Sequence, residues 1–497
     1  MNKHRLPYYP LLFAAFPSIA LMAYNQFQTN LSVLFRPLFV SILFGLFFYA
    51  LTIILYKQNW HKAALISGTT ILLMFSYGHI FNLIQSSNFL NTLLGRHRIV
   101  MVICGLIWLG VLVISTKVDV GEDFTKLVNI FSLILIAFPL VQLGTHFVSE
   151  NIAKNRAESG QIVGINPIDQ PNLKPDVYYI ILDSYSRPDA LLENHGIDVM
   201  PFIQEMEKNG FYYASESQSN YGETFSSLTT SLNMQYLDQL VSELNTSLGS
   251  PIYQESIKSS KTRAIFESMG YQTVAFSTGY RWSEFSTADI YYPIESTNPL
   301  RALTPFEALL FQTLIIYPYR GYLFDILPAS IDNQIDSPHS LHIETQRNVL
   351  ENLPKVARNP NPTFTFAHIL IPHPPLVFDE DGSILQDPGY NSGDKASAIN
   401  DFYEADGYER QVKFVSDQIL TITQDILAAS DTKPIIIVQA DHGWKADHRL
   451  KILNLYYFPD ENYEILYPSI TPVNTFRAVF SKYFAMDFDL IEDQTFQ

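Results

Sequence analysis

Five stretches within the first 150 residues contain no Asp, Glu, Lys or Arg: Leu6–Phe35, Pro37–Tyr56, Ala63–Gly95, Ile99–Thr116 and Leu127–Ser149. Each holds an apolar run near the roughly 20 residues that a helix needs to cross the ~30 Å hydrocarbon core of a bilayer. A backbone in lipid must satisfy its own hydrogen bonds, which for a single segment means a helix. The expectation is an N-terminal transmembrane domain, residues 1–150, of five helices over about Tyr9–Tyr24, Pro37–Leu55, Ala63–Leu83, Ile99–Ser115 and Leu127–Phe147. The first is short and carries Pro10 and Pro17; a cleaved signal peptide is its rival, but no small-residue cleavage site follows cleanly before Asn25. Lys3, Arg5, Lys57, Lys62, Lys117 and Lys126 fall on one side of such a bundle, and Arg96 and Arg98 on the other. The larger set is assigned to the cytoplasm, which places everything after residue 150 outside it. No span carries Asp, Glu, Lys or Arg near its middle, so the bundle reads as an anchor that meets lipid and not as an ion pathway.

The remainder has a different composition. Residues 1–150 hold nine of the 32 Lys plus Arg and four of the 49 Asp plus Glu, leaving 23 and 45 for the rest, a formal charge of −22. So acidic a domain argues against nucleic acid as a partner and against direct adhesion to anionic lipid. Its size suffices for a core of its own. The sole cysteine, Cys104, lies in the fourth span, so any metal in the outer domain must be held by His, Asp, Glu, hydroxyl or water. Residues 151–175, rich in Gly, Pro, Asn and Gln, read as a linker. Over 176–497 short apolar runs alternate with helical patterns: "VYYIILDSY", "MPFIQEMEKNGF" closed by Gly210, "QTVAF", "FTFAHILIPHPP", a long helix from about Asp406 to Ala429, and "IIIVQADHG". That alternation predicts an α/β domain with a mostly parallel central sheet.

Two of these runs deliver acids at strand ends, where open α/β sheets bind their ligands. "VYYIIL" leads into Asp183; "IIIVQA" leads into Asp441, His442 and Gly443. An oxygen donor beside a nitrogen donor suits a divalent metal such as Zn or Mn, while a polar loop in which carboxylate orients imidazole is the plainer alternative. Between them, "SNYGETFSSLTTSLNM" offers Thr224 just after the Tyr221–Gly222 turn and before a helix. A threonine hydroxyl needs activation to act as a nucleophile, and a metal can supply it. At a helix N-terminus it would also sit among amides that attract an anion; an N-cap is its structural alternative.

The order of Asp183, Thr224 and the Asp441-His442-Gly443 triplet resembles the alkaline phosphatase and sulfatase superfamily. With the preceding spans it is most similar to the membrane-anchored branch that includes lipoteichoic acid synthases and lipid A phosphoethanolamine transferases. The resemblance implies a sulfatase-like catalytic domain over 176–497, with a divalent metal, Zn or Mn, held by Asp183, Thr224, Asp441 and His442. It implies Thr224 as a nucleophile that forms a phospho-threonine. In "HILIPHPPLVFDEDG" it favours His373 as a catalytic imidazole and leaves His368 as a hydrogen-bonded core residue; His448 is a second candidate to protonate the leaving group. Arg449, Arg187 (beside Asp189) and Asn220 are candidates to bind the substrate phosphate. The chain lacks a C/S-x-P-x-R motif, which argues against formylglycine sulfatase chemistry, and its outer domain cannot form the disulfides usual in phosphoethanolamine transferases of this type. The implied activity is transfer of phosphoglycerol or phosphoethanolamine from a membrane lipid to a cell-envelope glycan. A membrane-bound phosphoester hydrolase and a non-catalytic scaffold of glycan assembly are the alternatives.

Overall fold

The computed structural model describes residues 6–57, 59–118, 120–158, 174–245, 247–248, 251–294, 304–319, 338–385, 396–445 and 448–496. The chain divides into two units.

The first unit gathers Met1–Val148 with Asn298–Pro338 and Pro388–Ala396. Its helices are α1 (Tyr9–Tyr24), α2 (Phe35–Leu55), α3 (Trp60–Gln85), α4 (Asn88–Leu94), α5 (His97–Lys117) and α6 (Glu122–Glu158). Among the described residues four stretches, Leu31–Leu55, Trp60–Gln85, His97–Lys117 and Glu122–Ile152, are long and apolar enough to cross a membrane. The remaining expected span, α1, has 16 residues, about 24 Å at 1.5 Å per residue, and falls short of that length. It is instead packed inside: Tyr9, Phe13, Ala14 and Ile19 are buried, and Asn129 of α6 accepts from the amides of Tyr8 and Tyr9 at its start (3.2 and 3.1 Å). Glycines permit the close approach. A Cβ on Gly45 would stand 2.7 Å from Ala14 Cβ, and one on Gly68 2.8 Å from the Tyr9 ring.

This unit also recruits α13 (Pro305–Gln312), although the sequence around it belongs to the α/β region. Thr304 and Glu307 form a capping box, and Glu307 forks onto Arg36 at the start of α2. Phe306 and Leu310 are buried, the Gly78 amide donates to Thr313 O (2.9 Å), and the Ile315 amide donates to Met74 O (3.0 Å). The linker expected over 151–175 is helical through Glu158; residues 159–173 lie outside the described residues.

The second unit gathers Ser149–Thr297, His339–Asp387 and Ser397–Gln497 around one seven-stranded sheet. Its strands are β1 (Val177–Leu182), β2 (Tyr212–Tyr213), β3 (Gln272–Phe276), β4 (Ile290–Tyr292), β5 (Thr363–Ile369), β6 (Ile435–Ala440) and β7 (Asn454–Tyr457), in the order β2-β7-β6-β1-β5-β3-β4. The sheet is mixed. β6, β1, β5, β3 and β4 run parallel, whereas β7 is antiparallel to β6 and to β2. The antiparallel edge arises because β7 returns directly from β6 through the loop that carries Asp441–Gly443, and such a return reverses direction.

Helices cover both faces: α7 (Pro188–His195), α8 (Met200–Lys208), α9 (Thr224–Asn233), α10 (Leu237–Glu243), α11 (Pro251–Lys258), α12 (Lys261–Ser268), α14 (Pro338–Asn352), α15 (Ala396–Ala429) and α16 (Pro472–Phe484). Burial on both faces explains why the central strands read as unbroken apolar runs. Side chains alternate between two cores. Tyr178, Ile180, Leu182, Ala367, Ile369, Ile436 and Val438 enter one core; Val177, Tyr179, Ile181, Phe364, Phe366, Ile435 and Ile437 enter the other, together with Leu228 and Leu232 of α9.

Candidate metal centre

The alternation carries chemistry when it is continued to the strand ends. Asp183 has the parity of Tyr179 and Ile181, His368 that of Phe364 and Phe366, and Asp441 that of Ile435 and Ile437. All three therefore belong to the face that α9 covers. Register brings them level, with Ile181 opposite His368 and Leu182 opposite Ala440 on the adjacent strands β5 and β6. The result is a buried group of Asp183, His368 and Asp441 whose candidate ligand atoms all lie within 4.8 Å of one another.

The hydrogen bonding of this group is incomplete. Asp441 Oδ1 accepts from the amides of Ser184 (2.9 Å) and His442 (2.8 Å), yet its Oδ2 is buried without a hydrogen-bond partner. Neither ring nitrogen of His368 makes a hydrogen bond, although His368 is 2% exposed and its Nε2 lies 3.5 Å from Asp183 Oδ2. An unpaired buried polar atom costs about 1–3 kcal/mol, more when charged, and several converging on one point fit a cation there. Burial alone would raise the Asp183 carboxyl; the His368 contact, with His373 and His442 nearby, outweighs it and holds that carboxyl far below the ordinary carboxylate range. His442 suits the same role. Its Nδ1 donates to Gly443 O (3.0 Å), which leaves the Nε2 lone pair facing Asp441 Oδ2 (3.4 Å), Asp183 Oδ1 (3.9 Å) and Thr224 Oγ1 (3.2 Å). The donor set is oxygen and imidazole nitrogen without thiolate, compatible with Zn or Mn.

Thr224 is the first residue of α9, and its side chain is partly exposed. The first-turn amides of a helix have no intrahelical acceptor, so its tip favours an anion. The competing hydroxyls do not share this access. Ser227, Thr229 and Thr230 are buried, and Ser226 Oγ lies 3.5 Å from Tyr253 OH. Arg449 donates from Nε to Gly222 O and sets Nη2 3.4 Å from His442 Nε2, beside the same helix tip. His373 donates its amide to Asp183 O (3.1 Å), with its Nδ1 2.6 Å from Pro374 O.

Arg187 and Asn220 have partners of their own. Arg187 forks onto Asp189 (2.7 and 2.8 Å) and donates to Ser217 O (3.1 Å), and Lys451 also reaches Asp189 (3.2 Å), so its charge is matched away from the cluster. Asn220 is fully buried. Its Nδ2 donates to Gln494 O (2.8 Å) and Thr471 Oγ1 (2.9 Å), and its Oδ1 accepts from Val473 N (2.9 Å), which leaves no proton for a substrate. His448 is near His195, where with Lys445 it adds to the burial that lowers the His195 pKa. His368, expected as a hydrogen-bonded core residue, is buried but makes no hydrogen bond, and its strand parity matches that of Asp183. Sequence reasoning passed over Ser184, whose Oγ donates to Asp183 Oδ1 (3.1 Å) and whose left-handed backbone (φ 65°) turns its amide onto Asp441.

No family model and no curated protein matches the chain. Similar solved structures include the C-terminal periplasmic domain of EptC from Escherichia coli in complex with zinc, at 12% identity and TM-score 0.43, covering 67% of this chain and 92% of that one. Another is the integral membrane protein lipooligosaccharide phosphoethanolamine transferase A from Neisseria meningitidis, at 12% identity and TM-score 0.39, covering 98% and 91%. A third is a 2-O GAG sulfatase, at 12% identity and TM-score 0.36, covering 61% and 68%. With each TM-score below 0.5, the functional reading rests on this chain's own side chains.

Proposed function

We propose that this protein is a metal-dependent phosphotransferase that moves a phospho-headgroup, phosphoglycerol or phosphoethanolamine, from a membrane lipid to a cell-envelope glycan through a phospho-threonine at Thr224. The observation that carries the reading is the Thr224 hydroxyl, partly exposed at the tip of α9 and 3.2 Å from His442 Nε2, beside the buried Asp441 Oδ2 and the His368 imidazole, which lack hydrogen-bond partners. Asp183, Asp441, His442 and Thr224 would hold the divalent ion, with His368 added to the set by its position. A bound ion there would neutralise phosphoryl charge and ease ionisation of the hydroxyl, contributions of several kcal/mol.

The chain's own groups account for the remaining steps. Thr224 Oγ loses its proton to solvent and attacks phosphorus while the α9 tip and Arg449 face the phosphoryl oxygens. The bond from phosphorus to the lipid alcohol breaks, and that alcohol takes a proton from His373. An acceptor hydroxyl then attacks the phospho-threonine and gives its proton to the His373 imidazole, the P–Oγ bond breaks, and Thr224 Oγ regains a proton from solvent. Water in place of the acceptor gives the hydrolase outcome.

The extracytoplasmic assignment does not depend on whether α1 crosses. Lys57 and Lys62 near the α2–α3 turn and Lys117 and Lys126 near the α5–α6 turn fall on one side, and one crossing, α6, separates them from residue 150. A cytoplasm-only reporter fused after Gln497 is expected to be silent; a bright one overturns the assignment.

The chemistry is tested by incubating the full chain in detergent with a slow phosphodiester donor and mapping the added mass by peptide analysis. The expected result is mass on Thr224, none with Thr224→Ala, and a loss of turnover of roughly 10³-fold in that variant with the fold retained. Mass on Ser226, or undiminished turnover in Thr224→Ala, overturns the reading. Released diacylglycerol paired with a modified glycan in cells separates transfer from hydrolysis.

A further inference from the structure

The residues that place Thr224 are themselves held by a distant part of the chain. Thr224 is preceded by the turn Ser219–Glu223. One end of that turn is tied to the metal strand, since Ser219 Oγ lies 2.6 Å from Asp441 O and the Ser219 amide donates to Leu450 O (2.7 Å). The other hold comes from the segment after α16. The Phe496 amide donates to Asn220 O (2.8 Å), Asn220 Nδ2 donates to Gln494 O (2.8 Å), and the Phe496 ring stacks on Tyr221 with centroids 4.9 Å apart at 12°. The segment is fixed in turn. Asp493 accepts from Thr471 Oγ1 (2.6 Å), Asn474 Nδ2 (3.0 Å) and Tyr467 OH (2.6 Å), and Tyr236 OH bonds Glu492 O (2.7 Å) and Gln494 N (2.9 Å).

We infer that Asp489–Phe496 is a positioning element for the nucleophile: through Asn220 and Tyr221 it sets the turn from which Thr224 projects toward His442. The inference rests on the proposed role of Thr224. Phe496 is the informative residue because it is 39% exposed, so its loss leaves little void, while its ring lies against the turn itself. A small displacement of a nucleophile is costly, with ~1 Å worth up to about 10²-fold in rate. A segment that served stability alone would shift the melting temperature and leave the rate per folded molecule unchanged.

The test uses the full chain with its metal and measures, by rapid quench, the rate at which Thr224 acquires mass from the phosphodiester donor. Phe496→Ala is expected to slow that rate about 10-fold, with metal content and donor KM unchanged, and Phe496→Tyr, which keeps the stacked ring, to restore it. A Phe496→Ala rate equal to the unaltered chain overturns the inference, as does a parallel loss of metal, which would mean that the site was dismantled. If the unaltered chain itself labels a residue other than Thr224, the functional reading fails first, and with it the role assigned to the segment.

Discussion

Two buried polar constellations flank the start of α9, and they are built on opposite terms. Around Asn220 and Asp493 the hydrogen-bonding capacity is filled from within the protein: both Asn220 amide protons have acceptors, and Asp493 Oδ1 and Oδ2 both accept. Around Asp183, His368 and Asp441 it is not: Asp441 Oδ2 and both His368 nitrogens are buried without a hydrogen-bond partner. Both sets are polar, buried and tied to the helix that begins at Thr224. The difference teaches which of them awaits something from outside. A saturated network specifies a conformation, whereas an unsaturated one retains a cost that only a ligand can offset.

The contrast breaks most readily at Asp441. Asp441→Asn keeps the acceptor for the Ser184 and His442 amides and replaces the orphaned oxygen by a donor. Metal affinity, read by elemental analysis, should fall about 100-fold or more, and turnover with it. In chelator the sign should reverse. The variant should then be more stable than the unaltered chain, by on the order of 1–3 kcal/mol, because a buried carboxylate oxygen without a hydrogen-bond partner is gone. Equal metal content in both proteins would remove the site.

At the saturated constellation the expectation is the converse. Asn220→Ala strands Gln494 O, Val473 N and Thr471, and should cost about 2–3 kcal/mol in denaturant unfolding while the metal content per folded molecule stays constant. Metal loss without destabilisation would mean that the two constellations are one.

The smallest effect belongs to an intermediate case, Asp176. Burial raises its carboxyl above the ordinary range despite bonds from the Thr363 amide (2.7 Å) and hydroxyl (3.0 Å). A carboxyl whose folded pKa is raised penalises the native state above that pKa, and the penalty disappears as pH falls through it. Asp176→Asn should therefore give a small gain in melting temperature at neutral pH that shrinks on acidification. A gain that grows on acidification would contradict the shift.

Asp183, Thr224, Asp441 and His442 were legible as candidates because each follows a local signal, an apolar run ending in an acid or a hydroxyl before a helix, and these signals survive whatever the rest of the chain does. His368 was not, because its meaning depends on pairing. Only when β5 lies beside β1 with Ile181 opposite His368 does its parity place it with Asp183. The partners of Asn220 are hidden from the sequence for a similar reason, since Gln494 and Val473 lie more than 250 residues away. The antiparallel β7 was missed because a four-residue strand is too short to announce its direction. For α1 the composition signalled an apolar helix, and the structure forms one over the same residues, Tyr9–Tyr24.

The helix Pro305–Gln312 bears on the order of synthesis. The carboxylate that meets Arg36 is translated 271 residues after it, and the backbone that meets Gly78 more than 230 residues after it. The helices encoded first therefore leave the ribosome with a seat that only a much later stretch can fill, and the α/β chain is interrupted to fill it. A fragment cut at Lys174 would carry Phe306, Leu310, Leu314 and Ile315 away from their companions, exposing an oily helix on a protein that looks, by charge, freely soluble. Severing this chain between its apparent halves would divide neither of them cleanly.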